Sequence, residues 1–463
     1  MTLSRREFLV RSGCGALSVA ALASGIERFS MVEGLAQGSG YKVLVCIFLG
    51  GGNDGNNLVV PLDAAGYAAY SGIRGAAGLA IAQGSLLPVT PRSIGTEFGL
   101  HPSLAAVHPL FAGGQLAVVS NVGPLIEPLL KQDYLNGAPR PYQLFSHSDQ
   151  IAQWQTSIST SAAATGWGGR MADTFPVSPS GYPLIAALAG GVFTRGQSTS
   201  PVTVAPAPTP LTELLVLDGF GAAADEQARL NAMNYLRTID LDAPLVAAAS
   251  KITQQAVDIG KDFDVDPVLN TEFPATSLGN QLKQVAKLIK FNLASGVPAL
   301  ARQIFFCSLG GFDTHQGQVS TQASLLTQVG EGMKAFYDAT VELHVQSDVT
   351  TFTLSDFGRT MQPAGSSGTV GSDHAWGNHH FVMGASVVGG DFYGIPGPNG
   401  AVFPTLQLGG PDDTDTRGRW IPTSSVDQYA FTLATWFGVD PAKLDTVFPE
   451  LKNFPIRNLR FMV

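Results

Sequence analysis

The sequence predicts an α/β fold built on a mostly parallel sheet. Apolar runs of strand length lie at residues 41–49, 303–308 and 349–354, and the first is apolar throughout, as in strands buried on both faces. Between the second and third runs, apolar side chains recur every three or four residues from Leu325 to Leu343, which indicates a long amphipathic helix. A strand, a helix and a strand in this order form a βαβ unit, whose two strands are parallel.

Shorter elements fill the rest of the chain. The patterns indicate a short helix at 102–113, a strand at 116–120 and helical segments at 222–261 and 278–289. Residues 196–211 are rich in Pro, Ser and Thr, so an exposed loop or insertion boundary is predicted there. A chain of 463 residues is too long for one small core. We therefore expect one large α/β domain with loop insertions, or two domains.

The N-terminus has the pattern of an export signal. Arg5 and Arg6 precede an apolar stretch rich in Ala, Gly and Ser, which is typical of a twin-arginine signal peptide over residues 1–37. The alternative is a cytoplasmic chain with a chance Arg-Arg pair. On the export hypothesis the folded domain comprises residues 38–463 and is periplasmic or secreted. No other run is long and apolar enough to cross a membrane, so no stable span is expected after cleavage.

Net charge and cysteine content further narrow the classes of protein that fit the sequence. The net charge of −9 and the absence of basic clusters argue against a nucleic-acid partner. Cys46 and Cys307 each lie inside an apolar run. They either pair as a disulfide in an oxidising compartment or remain two buried thiols. Oligomeric state is not encoded in any visible pattern.

Three polar loops are predicted to converge at one edge of the sheet. The carboxyl ends of parallel strands share an edge, and ligands bind outside that edge in open α/β sheets. The loops at 50–57, 310–315 and 355–359 each follow a predicted strand. Candidate functional residues in these loops should therefore lie close together.

Carboxylates and histidines in and near these loops are candidate metal ligands. Four of the eight His fall in the wider segments 44–57, 304–318 and 353–380 that contain these loops, and imidazole and carboxylate donors together suit Zn²⁺, Mn²⁺ or Fe. The alternatives are ordinary turn polarity and buried, satisfied histidines. The predicted ligands are Asp54, Asp313, His315, Asp373, His374, His379 and His380.

Three further residues are candidate catalytic groups. Arg359 could hold an anionic substrate group through its planar fork, or pair with Asp356 and only brace the loop. Ser146 directly precedes His147, so Ser146 is a candidate nucleophile with His147 as its base. Residues that are adjacent in sequence need not be placed for this chemistry, however. His147 could also be a substrate contact or a metal ligand.

The order of motifs resembles a known bacterial family. A first strand ending GGGNDGNN is followed by SHSDQIAQWQ, GWGGR, GGFDTHQ, SDFGRT and SDHAWGNHH, and this order resembles the family called "domain of unknown function 1501". The resemblance covers nearly the whole chain after the signal. It implies membership of the alkaline phosphatase and sulfatase superfamily, with a doubly wound α/β core, helices on both faces of the sheet, and two divalent metals, here Zn or Mn.

The resemblance also implies a division of the ligands between the two metals. Asp54 would share one metal with Asp373 and His374. Asp313 and His315 would hold the other metal. The late His379 or His380 would complete the set.

Three departures limit the resemblance. Ala375 stands where the superfamily has Gly after its Asp-His pair, and the phosphatase D-x-x-x-H spacing is shortened to D-x-H. The C/S-x-P-x-R segment that supplies a formylglycine is absent, so a formylglycine sulfatase is not expected.

The function expected from these observations is that of an exported, metal-dependent hydrolase. Its substrate would be a phosphate or sulfate ester, either a small molecule or a glycan. The alternative is a non-catalytic exported binding or assembly protein that keeps the fold. Transfer onto envelope glycans with the same metals is a third hypothesis.

The metal hypothesis makes a direct prediction. Asp373→Ala or His374→Ala should abolish metal binding and turnover while the chain still folds, because each removes one donor from the site. Elemental mass spectrometry of the purified variants measures this loss. Wild-type metal content in either variant would contradict that residue's assignment as a ligand.

Overall fold

The computed structural model describes residues 40–176, 184–214, 220–294, 300–365 and 370–463. The predicted export signal at 1–37 lies outside these residues. No helix among them is long and apolar enough to cross a membrane.

A nine-stranded sheet forms the centre of the molecule. Its strands are β1 (Lys42–Leu49), β5 (Leu116–Gly123), β6 (Ile185–Ala187), β7 (Val202–Thr203), β8 (Arg302–Leu309), β9 (Val349–Ser355), β12 (Asn378–Met383), β13 (Phe392–Tyr393) and β14 (Ser424–Ser425). They lie in the order β13-β5-β12-β9-β1-β8-β6-β7, with β14 also beside β5. β12 runs antiparallel to both of its neighbours, and the other pairings are parallel.

Two small sheets flank the central one. A two-stranded sheet pairs β10 (Arg359–Ala364) with β11 (Gly371–His374). A three-stranded sheet has the order β2-β4-β3, formed by Val59–Pro61, Phe98–Leu100 and Leu87–Val89 respectively.

Twelve α-helices are present in the described residues, besides short 3₁₀ turns. They are α1 (Gly55–Leu58), α2 (Ala64–Arg74), α3 (His108–Ala112), α4 (Lys131–Leu135), α5 (His147–Thr156), α6 (Trp167–Ala172), α7 (Ala224–Leu236), α8 (Pro244–Asp262), α9 (Ser277–Asn292), α10 (Gln318–Glu342), α11 (Val426–Phe437) and α12 (Leu444–Val447).

Both faces of the central sheet are covered. Alternate side chains of β1, including Leu44 and Phe48, join a buried cluster with Tyr429 and Leu433 of α11. The intervening side chains point to the opposite face, where Val45 is equally buried. There α9 packs against β8 and α10. This arrangement confirms the predicted doubly wound α/β class with a mostly parallel sheet.

The predicted βαβ unit is present, with one addition. β8 and β9 are both parallel to β1 and lie on opposite sides of it, so the unit formed by β8, α10 and β9 crosses over β1. The carboxyl ends of all three strands therefore lie at one edge, as the sequence predicts. This edge positions the candidate site.

Two local predictions need correction or completion. Residues 196–211 are not loop throughout, because Val202 and Thr203 form the edge strand β7, and Leu211 is fully buried. The two cysteines are free and buried rather than disulfide-bonded. They lie on the adjacent strands β1 and β8, so of the two alternatives the structure has the buried thiols.

The glycines after β1 let two loops approach each other. Gly51 has φ +113°, and a Cβ on it would lie 2.4 Å from the backbone nitrogen of Asp313. Gly310, in the facing loop, has no atom within 4 Å of its ideal Cβ and no positive φ. Only the first position therefore needs glycine.

We expect Gly51→Ala to lower the free energy of unfolding by about 2–3 kcal/mol, because it adds backbone strain and a clash with the Asp313 loop. Gly310→Ala is the matched control and should change it by less than about 0.5 kcal/mol. Urea unfolding followed by circular dichroism measures both values. Equal stability of the two variants would show that the close approach of the loops is not needed.

Candidate metal centre

The buried side chain of Arg359 fixes the loops at the carboxyl edge. Its guanidinium donates to the carbonyl oxygens of Gly52 at 2.9 Å, Phe312 at 3.1 Å and Ser372 at 2.9 Å, and also to that of Gly51. Its Nη2 also lies 2.5 Å from Oδ1 of Asp313. These bonds link the loops after β1 and β8 to β11.

The position of Arg359 decides between its two interpretations. The residue is 1% exposed, and its donors are directed at backbone carbonyls and one carboxylate. It therefore braces the loops and is not open to a substrate anion. Its carboxylate partner is Asp313 rather than the predicted Asp356.

Three imidazoles surround the same oxygen of Asp313. Oδ1 of Asp313 lies 3.4 Å from Nε2 of His147, 3.1 Å from Nε2 of His315 and 3.4 Å from Nε2 of His374. The Nε2 atoms of His315 and His374 are 2.9 Å apart. The structure thus brings together three of the predicted residues with His147, which the sequence offered as a catalytic group or ligand.

The Nδ1 atom of each ring is hydrogen-bonded to an acceptor. Nδ1 of His147 bonds Oδ2 of Asp356 at 2.7 Å, and Nδ1 of His315 bonds Oδ1 of Asp373 at 3.1 Å. Nδ1 of His374 bonds the carbonyl oxygen of Phe145 at 2.8 Å. An acceptor at Nδ1 places the proton there and leaves a lone pair on Nε2. All three lone pairs are therefore directed toward the region of Asp313, which is the usual arrangement of histidines that bind a metal.

The spacing of these donors fits a small divalent cation. Two ligands each about 2.0–2.1 Å from a tetrahedral Zn²⁺ are about 3.3 Å apart. The ligand atoms of His147, Asp313 and His374 all lie within 4.8 Å of one another. His315 adjoins two of these three. The side chain of Asp313 is 47% exposed, so the group is open to solvent and to a substrate.

Charge in the cluster favours an ionised Asp313. Burial raises the pKa of its carboxyl, but the hydrogen bond and charge of Arg359, with the charges of His147 and His315, together lower this pKa to about 2. The hydrogen bond with Asp356 raises the pKa of His147, whereas burial lowers that of His374. Asp313 is therefore an anion at neutral pH, in a position to offset the charge of a bound cation.

Asp373 contacts a histidine of this group, His315, but is not itself part of the group. Its carboxylate bonds Nδ1 of His315 and forms an ion pair with Arg417. Burial raises the pKa of Asp373, but the hydrogen bonds and charges of Arg417 and His315 together lower it. Asp373 and His374 also lie in a strand, β11, rather than in a loop. Asp373 therefore orients a candidate ligand, and the structure does not place it among the ligands.

The carboxylate of Asp54 is neutralised by an arginine, away from the histidine cluster. Its Oδ2 lies 2.5 Å from Nη1 of Arg74 and 2.5 Å from Nε2 of Gln318, and its Oδ1 accepts the backbone N–H of Asn56 at 3.1 Å. Asp54 and Arg74 are both almost completely buried. A guanidinium thus occupies the position next to this carboxylate where the resemblance implied a metal.

His379 and His380 are not part of the cluster. Both are fully buried in β12, where burial lowers the pKa of each to about 3. The ring of His379 stacks on Phe403 at 4.7 Å, and the ring of His380 lies 4.6 Å from that of Trp154. They follow His374 closely in sequence, but the chain turns into the central sheet between them.

Ser146 is not arranged as a nucleophile with His147 as its base. Its hydroxyl donates to Oδ2 of Asp149 at 2.5 Å, at the start of α5. The Nδ1 atom of His147 is bonded to Asp356, and its Nε2 atom faces Asp313. The two neighbours therefore point to different partners.

Several residues that shape the cluster were not among the predicted site residues. Asp356 orients His147, and the ring of Phe357 lies 4.8 Å from that of His147 and 4.6 Å from that of His374. The motif SDFGR contained both residues, but their partners are distant in sequence. Phe145 adopts φ +71°, which is unusual for a bulky residue, and no sequence pattern indicated it.

The chain belongs to the family described as "Protein of unknown function (DUF1501)", whose sequence profile matches residues 41–400. This confirms the family to which the motifs pointed. No curated protein shows significant similarity in sequence.

Similar solved structures include sulfatases. Ps i-CgsB, determined in complex with k-i-k-neocarrahexaose, is 8% identical, with 90% of this chain and 77% of that chain covered and a TM-score of 0.34. The PsFucS1 sulfatase from Pseudoalteromonas sp. is 8% identical, with 77% and 65% covered and a TM-score of 0.31. BT1596, a 2-O GAG sulfatase, is 9% identical, with 89% and 74% covered and a TM-score of 0.31. At these TM-scores the likeness carries no argument about activity.

The Asp54–Arg74 pair can be tested by a double-mutant cycle. Arg74→Met should lower the free energy of unfolding by about 3–5 kcal/mol, because it leaves a buried carboxylate without its cation. Asp54→Asn combined with Arg74→Met should recover part of that loss and keep wild-type metal content, although the acceptors of Asn57, Thr360 and Met361 still lack the donor that Arg74 supplies. Urea unfolding and elemental mass spectrometry measure the two quantities. Loss of metal in the double variant would instead support the assignment of Asp54 as a metal ligand.

Proposed function

We propose that this protein is a metal-dependent hydrolase of phosphate or sulfate esters. The observation that carries the proposal is the convergence of three Nε2 atoms on Oδ1 of Asp313, with each Nδ1 held by an acceptor. The donor set comprises His147, His315, His374 and Asp313, and it suits Zn²⁺ first and Mn²⁺ second.

The donor set supports one cation rather than the two that the resemblance implies. His315 and His374 approach each other too closely to belong to separate, distant sites. Asp54, which would have anchored the other metal, is paired with Arg74. We therefore infer one equivalent of metal in the loaded protein.

The residues of the cluster have separable roles. A bound cation would supply Lewis acidity and lower the pKa of a coordinated water toward 7. Asp356 and the carbonyl of Phe145 hold the rings of His147 and His374 in position. Arg417, whose side chain is 33% exposed, is a cationic group at the rim that could attract an anionic ester. Since Ser146 is turned to Asp149, water is the expected nucleophile.

The alternative function is a non-catalytic exported protein that keeps a structural metal. Two observations favour it. The hydroxyl of Ser146 is not activated by His147, and the guanidinium of Arg359 is occupied by the hydrogen bonds that brace the loops. We also propose export by the twin-arginine route, on the strength of the Arg5-Arg6 signal pattern, and hence a periplasmic or secreted location.

Metal content and turnover together test the proposal. The purified wild-type protein should hold about one equivalent of Zn or Mn by elemental mass spectrometry and should hydrolyse an aryl phosphate or an aryl sulfate. His147→Ala should lose both properties, because it removes a ligand. Asp356→Asn and Asp373→Ala should weaken metal affinity about 10- to 100-fold, because they act through His147 and His315. For Asp373→Ala this replaces the complete loss of metal expected from the sequence, where Asp373 was a predicted ligand.

His344→Asn is the matched control, since His344 is exposed and lies away from the cluster with φ +58°, which Asn tolerates. It should keep both metal and activity. Stoichiometric metal without turnover of either ester class would favour the non-catalytic alternative. Wild-type protein that binds no added Zn²⁺ or Mn²⁺ would contradict the site itself.

A further inference from the structure

The loop that precedes α5 has an unusual backbone conformation next to the candidate metal centre. Gln143 and Phe145 have φ of +48° and +71°, in the left-handed region that residues other than glycine rarely adopt. Such a conformation is unfavourable and persists only where neighbouring groups hold it. The carbonyl oxygen of Phe145 accepts the 2.8 Å hydrogen bond from Nδ1 of His374, so this loop contacts a candidate ligand directly.

Two buried glutamines of α5 hold this loop. Oε1 of Gln150 accepts the backbone N–H of Phe145 at 2.7 Å, and Nε2 of Gln153 donates to the carbonyl oxygen of Tyr142 at 2.7 Å. Both glutamine side chains are completely buried. Within the part of the chain that the structure describes, the other amide atom of each has no hydrogen-bond partner. A buried polar atom without a partner lowers stability, so an apolar residue would suit both positions better if packing were their only role.

We infer that Gln150 is a positioning residue for the candidate ligand His374, and that it acts through the backbone of Phe145. Its acceptor fixes the peptide group before Phe145, and the φ of +71° then directs the carbonyl of Phe145 toward Nδ1 of His374. This carbonyl keeps the proton on Nδ1 and leaves the lone pair on Nε2, which a cation needs. The inference rests on the proposed metal site and adds the group that prepares one of its ligands.

The helix α5 thereby sets the relative position of two candidate ligands. His147 is its first residue, and Gln150 lies about one turn further along the same helix. The ligand atoms of His147 and His374 belong to one group whose members all lie within 4.8 Å of one another. Residues of one helix keep fixed separations, so α5 orients His147 directly and His374 through the loop. Arg419 adds a second link, because its guanidinium lies 4.7 Å from the ring of Phe145 and donates to the carbonyl oxygen of His374 at 2.9 Å.

The affinity for Zn²⁺ tests the inference, measured on the purified protein by competition with a chromophoric chelator. Gln150→Met keeps the length of the side chain but removes the acceptor, so it should raise the dissociation constant about tenfold. Gln150→Glu keeps an acceptor for the N–H of Phe145 and should stay within about threefold of the wild type. Gln153→Met loosens the same loop at Tyr142 and should weaken binding about threefold, which keeps the test available if Gln150→Met does not fold.

Gln155→Met is the matched control. Gln155 lies in the same helix, is 3% exposed, and accepts the backbone N–H groups of Val192 and Phe193 at 2.7 and 3.1 Å, in a loop outside the cluster. The control should lower the midpoint of urea unfolding as Gln150→Met does, because each variant loses buried hydrogen bonds. Its affinity for Zn²⁺ should equal that of the wild type.

The outcomes distinguish this inference from the proposed function. A wild type that binds no Zn²⁺ would contradict the metal site and both proposals with it. Wild-type affinity in folded Gln150→Met would overturn the positioning role alone. An equal loss of affinity in Gln155→Met would also overturn it, because any loosening of α5 would then weaken the site. Failure of Gln150→Glu to retain affinity would overturn it as well, because the acceptor would then not be what Gln150 contributes.

Discussion

The buried guanidinium of Arg359 is the interaction on which the candidate site depends. A charge in the interior is costly unless its hydrogen bonds are satisfied, and here backbone carbonyls from two loops and from β11 satisfy them together with the carboxylate of Asp313. The three segments must therefore meet at one point for the arginine to be buried at all. The same contact orients Asp313, so the position of this carboxylate follows from the packing of the loops.

Neighbouring groups, rather than residue type, separate the roles of the carboxylates at this edge. Asp313 is half exposed and faces three imidazole nitrogens. Asp54 follows a parallel strand in the same way, but Arg74 neutralises it in the interior. Asp356 and Asp373 each bond the Nδ1 atom of a histidine and so direct its other nitrogen inward. The environment of each carboxylate thus determines whether it can bind a cation, stabilise the fold or orient a ligand.

The histidines show which site residues a sequence pattern can identify and which it cannot. The D-x-H and Asp-His pairs indicated Asp313, His315 and His374, and the structure brings these three together. His379 and His380 satisfy the same compositional criterion but belong to β12, whose burial requires neutral rings packed on aromatic side chains. His147 comes from a segment more than 150 residues before its partner Asp313, and its role depends on the distant Asp356. No local pattern distinguishes these cases.

The amino-acid sequence was enough to predict the α/β class, the parallel strands and the edge at which the polar loops gather. These follow from apolar periodicity and from the geometry of a βαβ connection, both of which are local properties of the chain. Three assignments required the folded chain: Arg359 braces the loops, Arg74 neutralises Asp54, and His147 joins the cluster in place of His379 or His380. Those assignments depend on which charged and polar groups come within hydrogen-bonding distance, and burial fixes such distances only once the whole chain has packed.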